Sequence, residues 1–268
     1  MKKVYFITRA DDAGSSKSAN IAIARAIKAG FIRNVSIMAP GVFTDEAAAL
    51  FAHEKGVCFG MHGTLNAEWD RVKWRPVSDL GQNSGLVDEQ GFFLDKTEKF
   101  VETKPSVALI MKEYSAQLDK LTRAGFRISY IDSHMFPEKY IPGLDEAVSD
   151  FAKAKGLLDH MYYYELPPGV VEAAKKKESI VGALRKVPSG QYFYLAHPAV
   201  YSEEMLQTGN SEYSGEDVAN ARAGEAKFLG SGILKHAMRL IGIRPLRYDE
   251  ATPFETRLTV ADVQRILS

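Results

Sequence analysis

Short runs of β-forming residues alternate with helix-patterned segments along most of this 268-residue chain, and few folds accept that order. Residues 4–8 (Val-Tyr-Phe-Ile-Thr) read as a strand. After the turn-like Asp11-Asp12-Ala13-Gly14, Ser18-Ala19-Asn20 opens a helix with Ile21, Ala22, Ile23, Ala26 and Ile27 at near-helical spacing, and Gly30 ends it. Residues 35–38 predict a second strand, 45–55 an alanine-rich helix, and 57–61 a third strand running straight into His62. Farther on, 106–124, 144–155 and 215–230 read as helices, and 128–131 and 190–196 as strands. Such alternation calls for parallel strands joined by helical crossovers, in an open doubly wound sheet or a (β/α) barrel. Residues 67–103, with both tryptophans and Gly81-Gln82-Asn83-Ser84-Gly85, break the pattern and read as a loop or short hairpin inserted into one domain spanning 1–268.

Composition narrows the partners. Lys plus Arg and Asp plus Glu each total 34, so there is no net charge and no basic field for nucleic acid. Met1-Lys2-Lys3 followed by Val4-Tyr5-Phe6-Ile7 is similar to the start of a signal peptide, but the apolar run stops at Thr8 and two aspartates follow. No other stretch approaches a membrane-spanning length, so no membrane partner is expected. The single cysteine, Cys58, lies in the apolar run Gly56-Val57-Cys58-Phe59-Gly60, where core packing is its expected role. A lone thiol fits a reducing compartment, and the expected location is cytoplasmic.

Groups able to do metal or acid–base chemistry fall just after the predicted strands: Asp11 and Asp12, His62, His134 and His197. In parallel α/β folds the carboxyl ends of the strands share one face, and ligands bind there. Each residue has a plainer alternative. Asp-Asp-Ala-Gly is a common turn or helix cap, His62 suits a hydrogen-bonded core position, Asp132-Ser133-His134 reads as a cap, and His197-Pro198 ends a strand. Their shared position at strand ends argues for chemistry. The other histidines, His53, His160 and His236, lack it and are expected at the surface or in packing.

Arg9-Ala10-Asp11-Asp12-Ala13-Gly14, with Asn20 behind it, resembles the N-A-D-D-F-G opening of the YdjC-like carbohydrate deacetylases. Gly60-Met61-His62-Gly63-Thr64-Leu65 is similar to their G-x-H-x-x-L element, and Tyr130-Ile131-Asp132-Ser133-His134 to their h-I-D-S-H element. His197-Pro198 resembles their late H-P pair, and Arg222 with Glu225 their R-x-x-E helix. Arg9 replaces the usual asparagine, Ala13 the usual phenylalanine, and Met135-Phe136-Pro137 stands where many members carry further histidines. The resemblance implies an irregular, TIM-like (β/α) barrel with parallel strands. It also implies one divalent ion, zinc or magnesium, held by Asp12, His62 and His134, and removal of an acetyl group from an N-acetylated sugar or short oligosaccharide.

On that reading Asp11 is the expected base for the attacking water and His197 the expected acid for the leaving amine. Arg9 either orients Asp11 or binds an acidic substrate group. Trp69 and Trp74 are expected either to stack on sugar rings or to serve packing, and Asp132 to hold the site's shape. The alternatives are a different metal hydrolase, acting on a phosphate ester or a non-sugar amide, and a non-catalytic sugar-binding protein. A small carbohydrate is the expected partner, and a homodimer is left open.

Overall fold

The structure, a computed structural model, describes residues 3–170, 173, 176 and 179–267. Seven parallel strands form its sheet: β1 (Val4–Ala13), β2 (Asn34–Ile37), β3 (Cys58–Gly63), β4 (Ile128–Ser133), β5 (Leu158–Asp159), β6 (Gly190–Ala196) and β7 (Ile243–Leu246). Nine α-helices accompany them: α1 (Lys17–Ala29), α2 (Thr44–Phe51), α3 (Phe100–Thr103), α4 (Val107–Arg123), α5 (Leu144–Lys155), α6 (Ile180–Lys186), α7 (Gly215–Leu229), α8 (Gly232–Ile241) and α9 (Val260–Leu267), counted among the described residues. The helix boundaries follow local chemistry. Ser16 caps α1 by accepting from the Ala19 N–H, and Gly30 closes it in the left-handed conformation.

The strand order is β5-β4-β3-β2-β1-β6, with β7 also on β1. β1 is long enough to serve several neighbours. Its first half pairs with β7 at Val4–Ile7 and its second half with β2 from Arg9 onward, while β6 runs along the other edge. Where β7 gives way to β2, the Asn34 amide donates to the Thr8 and Leu246 carbonyls at 3.0 and 2.9 Å, so no buried acceptor is stranded there.

Two apolar layers result from the period-two alternation of the strands. Val4, Phe6, Val35, Phe59, Ile131 and Tyr192 pack outward among the helices. Ile7, Tyr130, Tyr164, Phe193 and Tyr248 form a second, largely aromatic cluster inside the curl, together with Cys58, which is buried as expected. Gly60 makes room for it, because a Cβ there would lie 2.2 Å from the Tyr130 ring.

The expected irregular (β/α) barrel is therefore what forms. Among the described residues no ladder joins β5 to β6; instead the segment after β5 leans on β6, the Phe193 N–H donating to the Glu165 carbonyl at 2.6 Å. Residues 67–103 are largely irregular, with an antiparallel bridge between Val87 and Phe93 and the short helix α3 at their end. Glu113, fully buried on α4, anchors the insertion by accepting from the Val77 and Ser78 N–H groups at 2.8 Å. No helix among the described residues is long and apolar enough to cross a membrane.

Candidate metal centre

The sequence reading ends the first strand at Thr8 and turns at Asp11-Asp12. The structure corrects this: β1 continues to Ala13, and the turn is displaced by a bulge within the strand. Ala10 pairs with Val35 but Ala13 with Ile37, so β1 fits three steps against two of β2. Asp12 takes up the extra residue in a left-handed conformation, φ 66°. A bulge breaks strict alternation and re-aims side chains, so the neighbouring carboxylates of Asp11 and Asp12 both serve one site from different directions.

His62 lies on β3 directly opposite Asp132 on β4, and His134 follows β4 immediately, its N–H donating to the Gly63 carbonyl at 3.0 Å. Asp12, His62 and His134 are all buried, and one ligand atom from each falls within 4.8 Å of the others. His62 Nε2 is 3.5 Å and His134 Nδ1 3.6 Å from Asp12 Oδ1, and the two ring nitrogens are 3.2 Å apart.

The outer edges of the rings decide what faces inward. His62 Nδ1 is 2.8 Å from Asp132 Oδ2, and His134 Nε2 is 3.0 Å from Glu68 Oε2. A carboxylate can only accept, so each ring directs its N–H outward and a bare lone pair inward. Asp12 Oδ1, the third inward atom, is buried with no hydrogen-bond donor. Three converging lone pairs without a proton donor fit a divalent cation. One carboxylate and two imidazoles leave further coordination positions open. In the ion's absence a proton is the substitute: burial opposes charge on His62, but Asp132 and Asp11 lift its pKa to about 10.

Arg222 on α7 donates to the other Asp12 oxygen at 2.8 Å. Burial pushes the Asp12 pKa up, yet the Arg222 charge and the nearby His62, His197 and His134 hold it well below the ordinary carboxylate range. Asp12 is thus an anion ready for a cation. Arg9 lies two residues before Asp11 on β1, its NH2 donating to Asp11 Oδ2 at 2.8 Å and sitting 3.2 Å from Asp132 Oδ2.

A cleft of about 660 Å³ opens over this group, lined by Asp11, Trp69, Met135, His197, Tyr213 and Arg222 among others. His197, just past β6, is half-buried, and its backbone N–H donates to Glu225 Oε2 on α7 at 2.6 Å. Trp69 lines the cleft with the Arg222 guanidinium 5.9 Å from its ring centre. Trp74 does not line it: its indole is buried, donates to the Asn66 carbonyl at 2.7 Å and packs edge-on against His134. Of the remaining histidines His53 and His236 are exposed, whereas His160 is buried inside the barrel, 2.5 Å from the Tyr164 hydroxyl.

Sequence reasoning missed Glu68. It sits in the insertion without periodicity, and its carboxylate reaches His134 because Asn210 fixes its backbone carbonyl at 3.2 Å. The only available signal was its place, six residues past His62 at the head of a long loop.

Comparisons with known proteins agree with this geometry. Residues 5–239 match the YdjC-like protein family. A carbohydrate deacetylase of Thermoanaerobacter pseudethanolicus is 26% identical over 220 residues, covering 75% of this chain and 84% of the relative. One from Geobacillus stearothermophilus is 31% identical over 227 residues, covering 77% of this chain and 84% of its own length. Among solved structures, a proposed cellobiose-phosphate cleavage protein of Enterococcus faecalis V583 superposes with a TM-score of 0.69 at 19% identity, over 92% of this chain and 98% of that one, a likeness of fold. A family match reaching from residue 5 to residue 239, beside a relative 31% identical across 77% of the chain, shows that this chain belongs to the YdjC-like protein family.

Proposed function

We propose that the protein is a metal-dependent carbohydrate deacetylase, one catalytic domain that hydrolyses the acetamide of an N-acetylated sugar or short oligosaccharide. The observation that carries this reading is the convergence of three donor-free lone pairs, from Asp12, His62 and His134, beneath an open cleft. The relatives named carbohydrate deacetylases supply the substrate class. The mixed oxygen and nitrogen ligand set suits zinc better than magnesium, which prefers an all-oxygen shell.

When bound, such an ion acidifies a water and polarises the amide carbonyl. The rest falls to the chain's own groups. Asp11 is the base: it lines the cleft beside Asp12, and Arg9, 2.8 Å from each of its oxygens, fixes the carboxylate's orientation. Both oxygens of Asp11 lie against Arg9, which supports the orienting role for this guanidinium over a substrate contact. His197, on the same cleft, gives a proton to the leaving amine. Trp69 and the exposed Tyr213 offer ring faces for the sugar's C–H surface. Trp74 is assigned to packing.

Charge argues against a phosphate ester. The cations lining the cleft, Arg9, Lys96 and Arg222, are each matched to a carboxylate, Asp11, Glu212 and Asp12. The test is acetate release from N-acetylglucosamine and short chitin oligosaccharides by chelator-treated protein, with and without zinc, magnesium, cobalt or nickel, beside phosphate release from sugar phosphates. Acetate release restored by an ion supports the proposal. Phosphate release alone sinks it.

A further inference from the structure

Asp11, Asp132 and His62 form a second buried group whose ligand atoms lie within 4.8 Å of one another, sharing His62 with the first. Its two buried carboxylates attract a divalent ion; His62 points its Nδ1–H this way and its lone pair toward the first group, so it joins a second ion only by giving up that proton to solvent. Yet a cation is already there. Arg9 is 3% exposed; its NH2 donates to Asp11 Oδ2 at 2.8 Å and lies 3.2 Å from Asp132 Oδ2, and its Nε is 2.8 Å from Asp11 Oδ1.

We propose that Arg9 is a built-in counter-cation that fills a second potential metal site, Asp11-Asp132-His62, and thereby limits the centre to one ion. The inference rests on the reading that Asp12, His62 and His134 hold that ion.

The guanidinium is held in place from the barrel interior. Its NH1 donates to the hydroxyls of Tyr164 and Tyr248 at 3.2 and 3.3 Å, and the Phe193 ring centre is 5.1 Å away. These anchors come from three separate parts of the chain: the segment after β5, the segment after β7, and β6 itself. Arginine suits the task better than lysine, because a guanidinium does not give up its proton near neutrality and so cannot yield its place to a divalent ion as a neutral amine would. Even so, Asp132 Oδ1 is left without a hydrogen-bond donor. The pocket retains unspent acceptor capacity, and without Arg9 two buried carboxylates would have no compensating charge.

The consequence for catalysis is separation of roles. Asp12 faces the ion, while Asp11, one residue away, stays out of metal coordination because its own cation is covalently part of the chain. A second ion at Asp11 would convert that base into a ligand.

The test is metal stoichiometry, measured by elemental analysis and titration calorimetry with zinc and with cobalt on the full chain. The wild type binds about one equivalent, Arg9→Gln about two, and the double variant Arg9→Gln/Asp11→Asn returns to about one. If Arg9→Gln folds only when zinc or cobalt is present, the ion is replacing the guanidinium and the proposal stands. Arg9→Gln binding a single equivalent overturns it, as does a variant that stays unfolded with either ion supplied. Two equivalents on the wild type overturn it while leaving the first site intact; none on the wild type overturns the first site as well.

Discussion

His62 stands between two groups of nearly the same composition, and they behave oppositely. On its Nε2 side Asp12 and His134 turn bare lone pairs toward a common point, and the nearby guanidinium of Arg222 takes only the outer oxygen of Asp12. On its Nδ1 side Asp11 and Asp132 are bridged by Arg9. Ligand types and spacing alone do not distinguish a metal site from an ion-pair network; the position of the nearest permanent cation does. On the proposed function, it also divides the labour of two adjacent aspartates, Asp12 to face the ion and Asp11 to face the water.

The sharpest way to break this comparison is to neutralise each aspartate in turn. Asp11→Asn should lower kcat by about 10²–10⁴-fold, the usual worth of a general base, while zinc binding measured by calorimetry stays near the wild-type level. Asp12→Asn should lose turnover and zinc together. If both variants lose zinc equally, the two carboxylates are not divided as described.

A smaller effect is expected from the carboxylates that orient the histidines. Asp132→Asn, which keeps the shape but weakens the grip on His62 Nδ1, should reduce zinc affinity by about 10–100-fold. Glu68→Gln should fall at the lower end of that range, because Glu68 is carried by a loop at the cleft edge whereas Asp132 is wholly buried on a strand. Competition against a chelator would rank them, and the reverse order would contradict the account.

Behind the centre, Glu138 gives a control with no expected effect on the ion. Its carboxyl is shielded from water and hydrogen-bonded by Ser133, and burial outweighs that bond to push its pKa up to about 7 from 4.5. Between those values the folded protein keeps a proton that the unfolded chain has released, so this residue makes stability fall as pH rises from about 4.5 to about 7. Glu138→Gln should remove that fall, gaining up to about 3 kcal/mol at neutral pH and nothing below about pH 4.5 in urea unfolding, with zinc affinity unchanged.

Much of this architecture was legible because it is periodic. Helix α5 and strand β6 occupy the residues the sequence pattern predicts, and α4 and α7 differ only at their ends. β5 was not legible, since two residues carry no period, and β7 was hidden by Pro245, which is tolerated because that strand has a single partner, β1. Short helices α6 and α9 likewise escaped notice. At the centre, Asp12, His62 and His134 were visible from their place after apolar runs. The pairing of Arg9 with Asp11 was one of two readings left open, because ending the strand at Thr8 concealed that residues two apart share a face. Glu68 and Arg222 reach the site by tertiary folding, and no local pattern marks the first of them.

The central claim is the place of the ion, and anomalous diffraction at the zinc absorption edge, from crystals grown with zinc, tests it most directly. A single strong peak bounded by Asp12 Oδ1, His62 Nε2 and His134 Nδ1 is the predicted result. A peak on the Asp11–Asp132 side of His62, with Arg9 displaced, would contradict it.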